Sequence, residues 1–298
     1  MISNHGAVSA DFQCWLCGCH RILLKRTGIP PGELRPERFA MTDSHYGTTL
    51  NIYACSACGL LFCPSAGDVT RYYEALEDRA YEATRVERSL QARRLLSVIK
   101  SYQPGRTLLD VGAGSGILVE QARAAHYDAI GIEPSRWAAA LAQARGLSVV
   151  QGIFPQAAPG STYDVITLID VVEHVSTPVP LLRDVAAHLR AHGIAVVVTP
   201  DVASIAARVM GAHWWHYRVA HIGYFGKTTL TAALELAELH PIAWHRPVWF
   251  FRLDYLLSRL ARYLPSINRV IPARIAQSVT VPLNLRDSWM VIAKKANS

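Results

Sequence analysis

Two pairs of cysteines, CWLC at Cys14 and Cys17 and CSAC at Cys55 and Cys58, are each followed at once by a glycine, Gly18 and Gly59. A C-x2-C turn presents two thiolates on one side of a tight loop, and two such turns complete a tetrahedral Zn2+ site. The metal then substitutes for the core that a segment of ~60 residues cannot build alone. Residues 18–54, between the pairs, exceed the usual finger spacing and must hold strands and a loop. Cys19 and Cys63 lie near the pairs and read as small buried hydrophobes.

A second group of residues suits a nucleoside-bearing ligand. In LLDVGAGSG (108–116), an apolar run with Asp110 enters a turn built on Gly112, Ala113, Gly114 and Gly116. Glycine lets the backbone approach a ligand, and a following helix offers free N–H groups to a carboxylate or phosphate. Downstream, Glu133 closes the apolar run IGIE before Pro134, where a carboxylate can accept both hydroxyls of a ribose. The G-x-G-x-G spacing, with Asp110 two positions before the first glycine, departs from the dinucleotide fingerprint.

Histidines supply the third group. His174 stands in DVVEHVSTP, and HWWHYRVAHIGYF (213–225) packs three histidines and five aromatic rings into one stretch. Histidine titrates near neutrality and can take a proton from a hydroxyl acceptor, so His174 and His221 are the candidate bases. The alternative is structural: His174 orienting the Glu173 loop, and the aromatic stretch packed as a lid. His216 and His221 lie five apart with no cysteine or carboxylate beside them in sequence, a poor pattern for zinc.

The elements that must position these groups are legible as alternating patterns. Strand-like TLLDV, AIGI, LSVVQ, DVITLI and IAVVVT are interleaved with helical ILVEQARAA, PSRWAAALAQAR and VPLLRDVAAHLR. Strand and helix in alternation imply a parallel sheet with helices on both faces. Residues 71–100 read as a helical connector ending near the breaker QPG. The stretch 249–264 carries apolar residues at 249, 253, 256, 257, 260 and 264, which predicts an amphipathic helix. Arg252, Arg259 and Arg262 lie off that stripe, followed by Arg269 and Arg274.

The chain has 298 residues, 51% hydrophobic and 18% charged, with a formal charge of +7. This composition fits one large domain plus a small accessory one. Most of the basic excess falls in residues 246–275, which hold six arginines and one aspartate. The N-terminus lacks a basic segment leading into an apolar run, and no apolar run reaches the ~18 residues of a membrane span. A cytoplasmic location follows as an expectation, with contact to anionic membrane at the inner face through 248–275 as an alternative to a lid or dimer helix.

Together these motifs resemble the class I S-adenosylmethionine-dependent methyltransferases, and within them a bacterial group that pairs E-H after the fourth strand with an H-x-x-Y-F element. LLDVGAGSG, GIEPS, VVQGIF, YDVITLIDVVEHVSTP, IAVVVTPD, HIGYF and DSWMVIAKK carry the resemblance over about residues 71–298. The cysteine pairs resemble a zinc-binding module attached to some sugar methyltransferases. The resemblance implies an α/β, Rossmann-like, doubly wound sheet of seven strands with a zinc-ribbon-like module. It divides the chain into a module at 1–70, the connector at 71–100 and a methyltransferase domain at 101–298 with a helical lid or insertion at about 202–282. It implies that Asp110 and the glycine turn hold the methionyl end of S-adenosylmethionine, Glu133 with Pro134 the ribose, and Ile153, Phe154, Asp170 and Val171 the adenine. Many members carry an acid where Ile153 stands, so adenine contact here would run through backbone. The implied reaction is methylation, on oxygen, of a sugar, a glycolipid, a lipid-linked acceptor or another small intermediate. An RNA methyltransferase is the alternative, but the cysteine segment is not conspicuously basic and no N-P-P-Y motif follows the fourth strand. Oligomeric state stays open.

Overall fold

The computed structural model describes residues 12–43, 45–102, 105–160, 162–260 and 272–296. Arg262, Arg269 and the apolar position 264 of the expected amphipathic helix lie outside the described residues, as does the side chain of Leu260.

Three short strands open the chain: β1 (Ile22–Arg26), β2 (Ile52–Cys55) and β3 (Leu61–Phe62). The central sheet then begins with β4 (Thr107–Val111), β5 (Asp128–Glu133), β6 (Val149–Gln151), β7 (Tyr163–Ile169) and β8 (Leu189–Pro200). After β9 (Gly223–Tyr224) come β10 (Leu239–His245), β11 (Trp249–Arg252), β12 (Thr280–Leu283) and β13 (Ser288–Lys295). Seven of these form one sheet in the order β10-β13-β8-β7-β4-β5-β6. The β4–β5, β4–β7, β5–β6 and β7–β8 pairs are parallel, and β13 runs antiparallel to both β8 and β10. Strands such as β8, buried continuously from Gly193 to Pro200, need apolar, β-branched residues on both faces because helices cover both. The expected doubly wound, seven-stranded sheet is therefore present. Its order reverses between β4 and β7, and ligands of such sheets bind beyond the strand ends at that point.

Three elements differ from expectation. The connector is three helices, 70–74, 79–82 and 85–100, because Leu76-Glu77-Asp78 breaks the run and Asp78 caps the second helix by accepting from the Tyr81 N–H. Trp249–Arg252 is a strand paired with β12, and the helix begins only at Leu253. Aromatic side chains favour extended backbone when a partner strand is supplied, here from thirty residues downstream, which a helical period cannot reveal. The third concerns the cysteine segment. Its sheet runs β1-β2-β3-β9, so the last strand comes from HIGYF. Leu61 pairs with Tyr224 and Phe62 with Gly223, and the Cys63 N–H donates to the Ile222 carbonyl at 2.8 Å. Cys14, Leu16, Ile22, Leu60 and Phe62 share one core with Leu109, Ile166 and Val197 of the central sheet.

Trp214, at the start of the aromatic stretch, is fully buried and packs with Phe39, Leu50, Ile52 and Val69 of the N-terminal segment. Arg218 reinforces the junction by donating to the carbonyls of Ala40 and Met41. Trp214→Ala is expected to cost about 3–5 kcal/mol through lost burial and the cavity left behind. Urea unfolding of the whole chain measures it.

Candidate functional site

A cavity of about 1360 Å³ opens at the C-terminal ends of β4, β5 and β7. The glycine turn forms its floor. Gly112 adopts φ +77°, and a Cβ there would lie 2.8 Å from Val171 Cγ2, so only glycine allows the β4 and β7 ends to close on the turn. Gly114 N–H donates to Glu133 Oε2 at 2.7 Å, and Ser135 N–H donates to Oε1 at 2.7 Å, which fixes the carboxylate beside the turn. Asp110 Oδ1 accepts from Thr167 Oγ1 at 2.7 Å.

Asp110, Gly112, Ala113, Gly114, Glu133, Pro134, Ile153, Phe154, Asp170 and Val171 all line the cavity. Gly116 does not share that position. It starts the helix 117–124 in a left-handed conformation and faces Leu147, Ala142 and Val149, so its backbone serves packing of that helix on the sheet. Ile153 is exposed toward the mouth, whereas the Phe154 ring turns into the core and meets His188 edge-on.

The electrostatics are those of a cation receptor. Burial, opposed by the Thr167 hydroxyl and reinforced by Glu133, pushes the Asp110 carboxyl up to about 7. Burial pushes Glu133 up to about 6 against the two N–H donors. Among the described residues, neither acid has a basic side chain bonded to it. Two acids held in this way gain most from a ligand that brings positive charge.

The histidines gather at one side. His174 Nδ1 lies 2.8 Å from the Ala220 carbonyl and 2.6 Å from the Tyr73 hydroxyl, and burial lowers its pKa to about 4. His221 stands edge-on to His174 with ring centroids 4.8 Å apart; it is buried, and its Nδ1 has no hydrogen-bond partner among the described residues. Burial, with His174, Arg218 and His216 adding to it, holds His221 well below the usual histidine range. Glu173, buried beneath them, accepts from Thr199 Oγ1 at 3.0 Å, while its other oxygen is unpartnered among the described residues. Burial and the neighbouring Asp170 raise its carboxyl well above the usual range.

Sequence reasoning missed several wall residues. Tyr73, Tyr81, Thr84 and Arg88 come from the segment read as a connector, and Tyr81 lies over Gly114 with the Arg88 guanidinium 3.8 Å from its ring centroid. Trp249, Phe250, Phe251 and Tyr255, with the aliphatic Leu256, form a largely aromatic wall from β11 and its helix. Arg252 is paired with Asp254, and Arg259 lies over the rings of Tyr46 and Tyr255. The described part of the amphipathic stretch thus brings both its rings and the arginines Arg252 and Arg259 to the cavity. His216 and Asp287 also line it and contact each other.

At the cysteine pairs, Cys14 Sγ lies 3.5 Å from Cys58 Sγ and Cys17 Sγ 3.5 Å from Cys55 Sγ, and all four sulfurs fall within 4.8 Å of one another. Sulfurs on a Zn2+ at about 2.3 Å would sit ~3.8 Å apart, whereas a disulfide would need about 2.05 Å. Gly18 and Gly59, at φ +67° and +77°, donate their N–H groups back to Cys14 and Cys55 carbonyls. The donor set and its spacing fit zinc.

The family model for a methyltransferase domain matches residues 81–243, more than half of the chain. The chain belongs to the methyltransferase domain family. Its sheet order and single antiparallel strand are those of the class I fold expected from the motifs. Among curated proteins, this methyltransferase-family chain is 30% identical over 129 residues to "Ubiquinone biosynthesis O-methyltransferase" of Methylobacterium sp. (strain 4-46), covering 39% of this chain and 52% of that protein. It is also 30% identical over 136 residues to the protein of the same description from Azorhizobium caulinodans, covering 41% and 54%. The chain spans about half the length of these curated relatives. Among solved structures, a SAM-dependent methyltransferase from Archaeoglobus fulgidus is 17% identical, with a TM-score of 0.49, coverage of 73% of this chain and 100% of that one. S-adenosylmethionine is the cofactor of the family, and the cavity fits it: the backbone cradle at Gly112 and the two uncompensated acids suit a cationic amino acid and sulfonium joined to a nucleoside.

Proposed function

We propose that the protein is an S-adenosylmethionine-dependent methyltransferase that methylates oxygen on a small biosynthetic intermediate. The single observation that carries the reading is the pair Asp110 and Glu133, buried without a basic partner among the described residues, on either side of the glycine turn. Bound there, S-adenosylmethionine supplies a methyl group already activated on a sulfonium. The chain's own task is then to hold, align and exclude water. Asp110 and the turn residues Gly112, Ala113 and Gly114 hold the methionyl end, Glu133 and Pro134 the ribose, and the backbone at Ile153 and Phe154, with Asp170 and Val171, the adenine. The cavity is larger than the about 300–1,000 Å³ of an ordinary ligand site, which leaves room for an acceptor beside the cofactor. The aromatic wall from Trp249 to Leu256 suits a planar or apolar acceptor, in line with the names of the curated relatives. Zn2+ on Cys14, Cys17, Cys55 and Cys58 has a structural part in this reading, holding the sheet to which HIGYF belongs. No helix among the described residues is long and apolar enough to cross a membrane.

Comparative mass spectrometry of small-molecule and lipid extracts from a deletion strain tests the reading. A species lighter by one methylene unit, restored to the parent mass by purified protein and S-adenosylmethionine, is the expected result. Unchanged extracts together with absent cofactor binding would refute it.

A further inference from the structure

We propose that His216, oriented by Asp287, is the residue that takes the proton from the acceptor hydroxyl. The inference rests on the O-methylation reading above. His216 Nε2 lies 3.3 Å from Asp287 Oδ2, and the Trp215 indole N–H donates to the same oxygen at 2.8 Å. Asp287 is buried at the end of the loop that leads into β13, and its backbone carbonyl accepts from the Asp201 N–H. The carboxylate is therefore fixed by the sheet itself. Burial would raise its pKa, but His216 and then the Trp215 indole N–H outweigh that and hold it below the usual carboxylate range.

The carboxylate sits beside Nε2, and a single ring proton held on that nitrogen would leave Nδ1 to accept. His216 lines the cavity, and Nδ1 has no hydrogen-bond partner among the described residues. The ring is clamped by Trp214 edge-on at 5.0 Å and by the His221 ring stacked at 5.6 Å. His216 and Asp287 line the same cavity as Asp110 and Asp170.

His174 and His221 lack such an arrangement. The Ala220 carbonyl can only accept, so it takes the His174 Nδ1–H, and burial with the neighbouring Asp170 raises the Glu173 carboxyl beneath the pair well above the usual range. In the proposed step the acceptor O–H bond breaks and its proton passes to His216 Nδ1. The oxygen forms a bond to the methyl carbon while the carbon–sulfur bond of the donor breaks, its electron pair remaining on sulfur. The proton on His216 is then released to solvent.

The test has two arms on the full chain. Long-range ¹H–¹⁵N spectra of histidine side chains, with His216 assigned by its loss in His216→Asn, are expected to show the Nε2–H tautomer in the wild type. Asp287→Asn should change that signature. A wild-type Nδ1–H tautomer would overturn the inference without any acceptor being known. In the second arm, methyl transfer to 3,4-dihydroxybenzoate is followed by mass spectrometry. His216→Asn is expected to lower kcat by roughly 10²–10⁴-fold with cofactor Kd unchanged. Undiminished turnover by His216→Asn would overturn this inference alone. Transfer by the wild type to histamine and none to the catechol would overturn the O-methylation reading, and the inference with it.

Discussion

Replacing Cys55 and Cys58 by serine is expected to abolish retention of one zinc per chain and to unfold far more than the segment that carries them. Structural Zn2+ bound by four thiolates contributes apparent free energies of about 10–16 kcal/mol in small peptides, comparable to the whole stability of a domain. Here the metal would tie the turn before β1 to the turn between β2 and β3. That strand passes through β3 to β9, and the Ile222 N–H of the same stretch donates to the Glu173 carbonyl at 2.9 Å. Loss of zinc should therefore loosen the backbone that carries His221 and faces His174. Elemental analysis gives the stoichiometry, and hydrogen exchange at residues 219–225 gives the consequence. One zinc in the wild type, none in the double variant and increased exchange in that stretch are the expected results. Retention of zinc by the double variant would show that other ligands bind it.

The affinity for S-adenosylmethionine is expected to fall steeply as pH drops below about 7. Asp110 and Glu133 have folded-state values of about 7 and about 6, above their ordinary values of 3.8 and 4.5. An acid raised in this way favours the folded apo chain most when protonated. That stability is fully present below the unfolded values and is lost as pH rises through about 6 and then 7. A cationic ligand works in the opposite sense, since it binds the ionised pair and must displace any proton held there. Each pH unit between 7 and 6 should therefore cost about tenfold in affinity, with a steeper fall below 6, where both carboxyls carry protons. Asp110→Asn should remove the upper step and Glu133→Gln the lower one. Glu133→Ala should also weaken binding at pH 8 by about 1.5–3 kcal/mol, roughly ten- to a hundredfold. Calorimetry across pH decides this. A flat profile would mean that the two carboxylates do not face the cofactor.

Both effects concern residues that the amino-acid sequence singles out by itself. The cysteine turns, the glycine turn after β4 and Glu133 at the end of β5 are local patterns, each fixed by a few adjacent residues and by what a turn or strand end requires. The alternation of strand and helix determined the parallel sheet, because a buried strand and an amphipathic helix have different periods. Tertiary structure alone decided the rest, through contacts between residues far apart in the chain. The Tyr73 hydroxyl meets His174 across 101 positions, and Trp215 meets Asp287 across 72. Nothing in the period of HWWHYRVAHIGYF shows that its end adds a strand to the cysteine segment, or that its middle histidine finds a carboxylate just before β13. The helices of 70–100 and the aromatic strand β11 look like a connector and a helix in isolation. They become cavity walls only because packing against the sheet buries their rings, and that burial outweighs the weak local preference of a few residues.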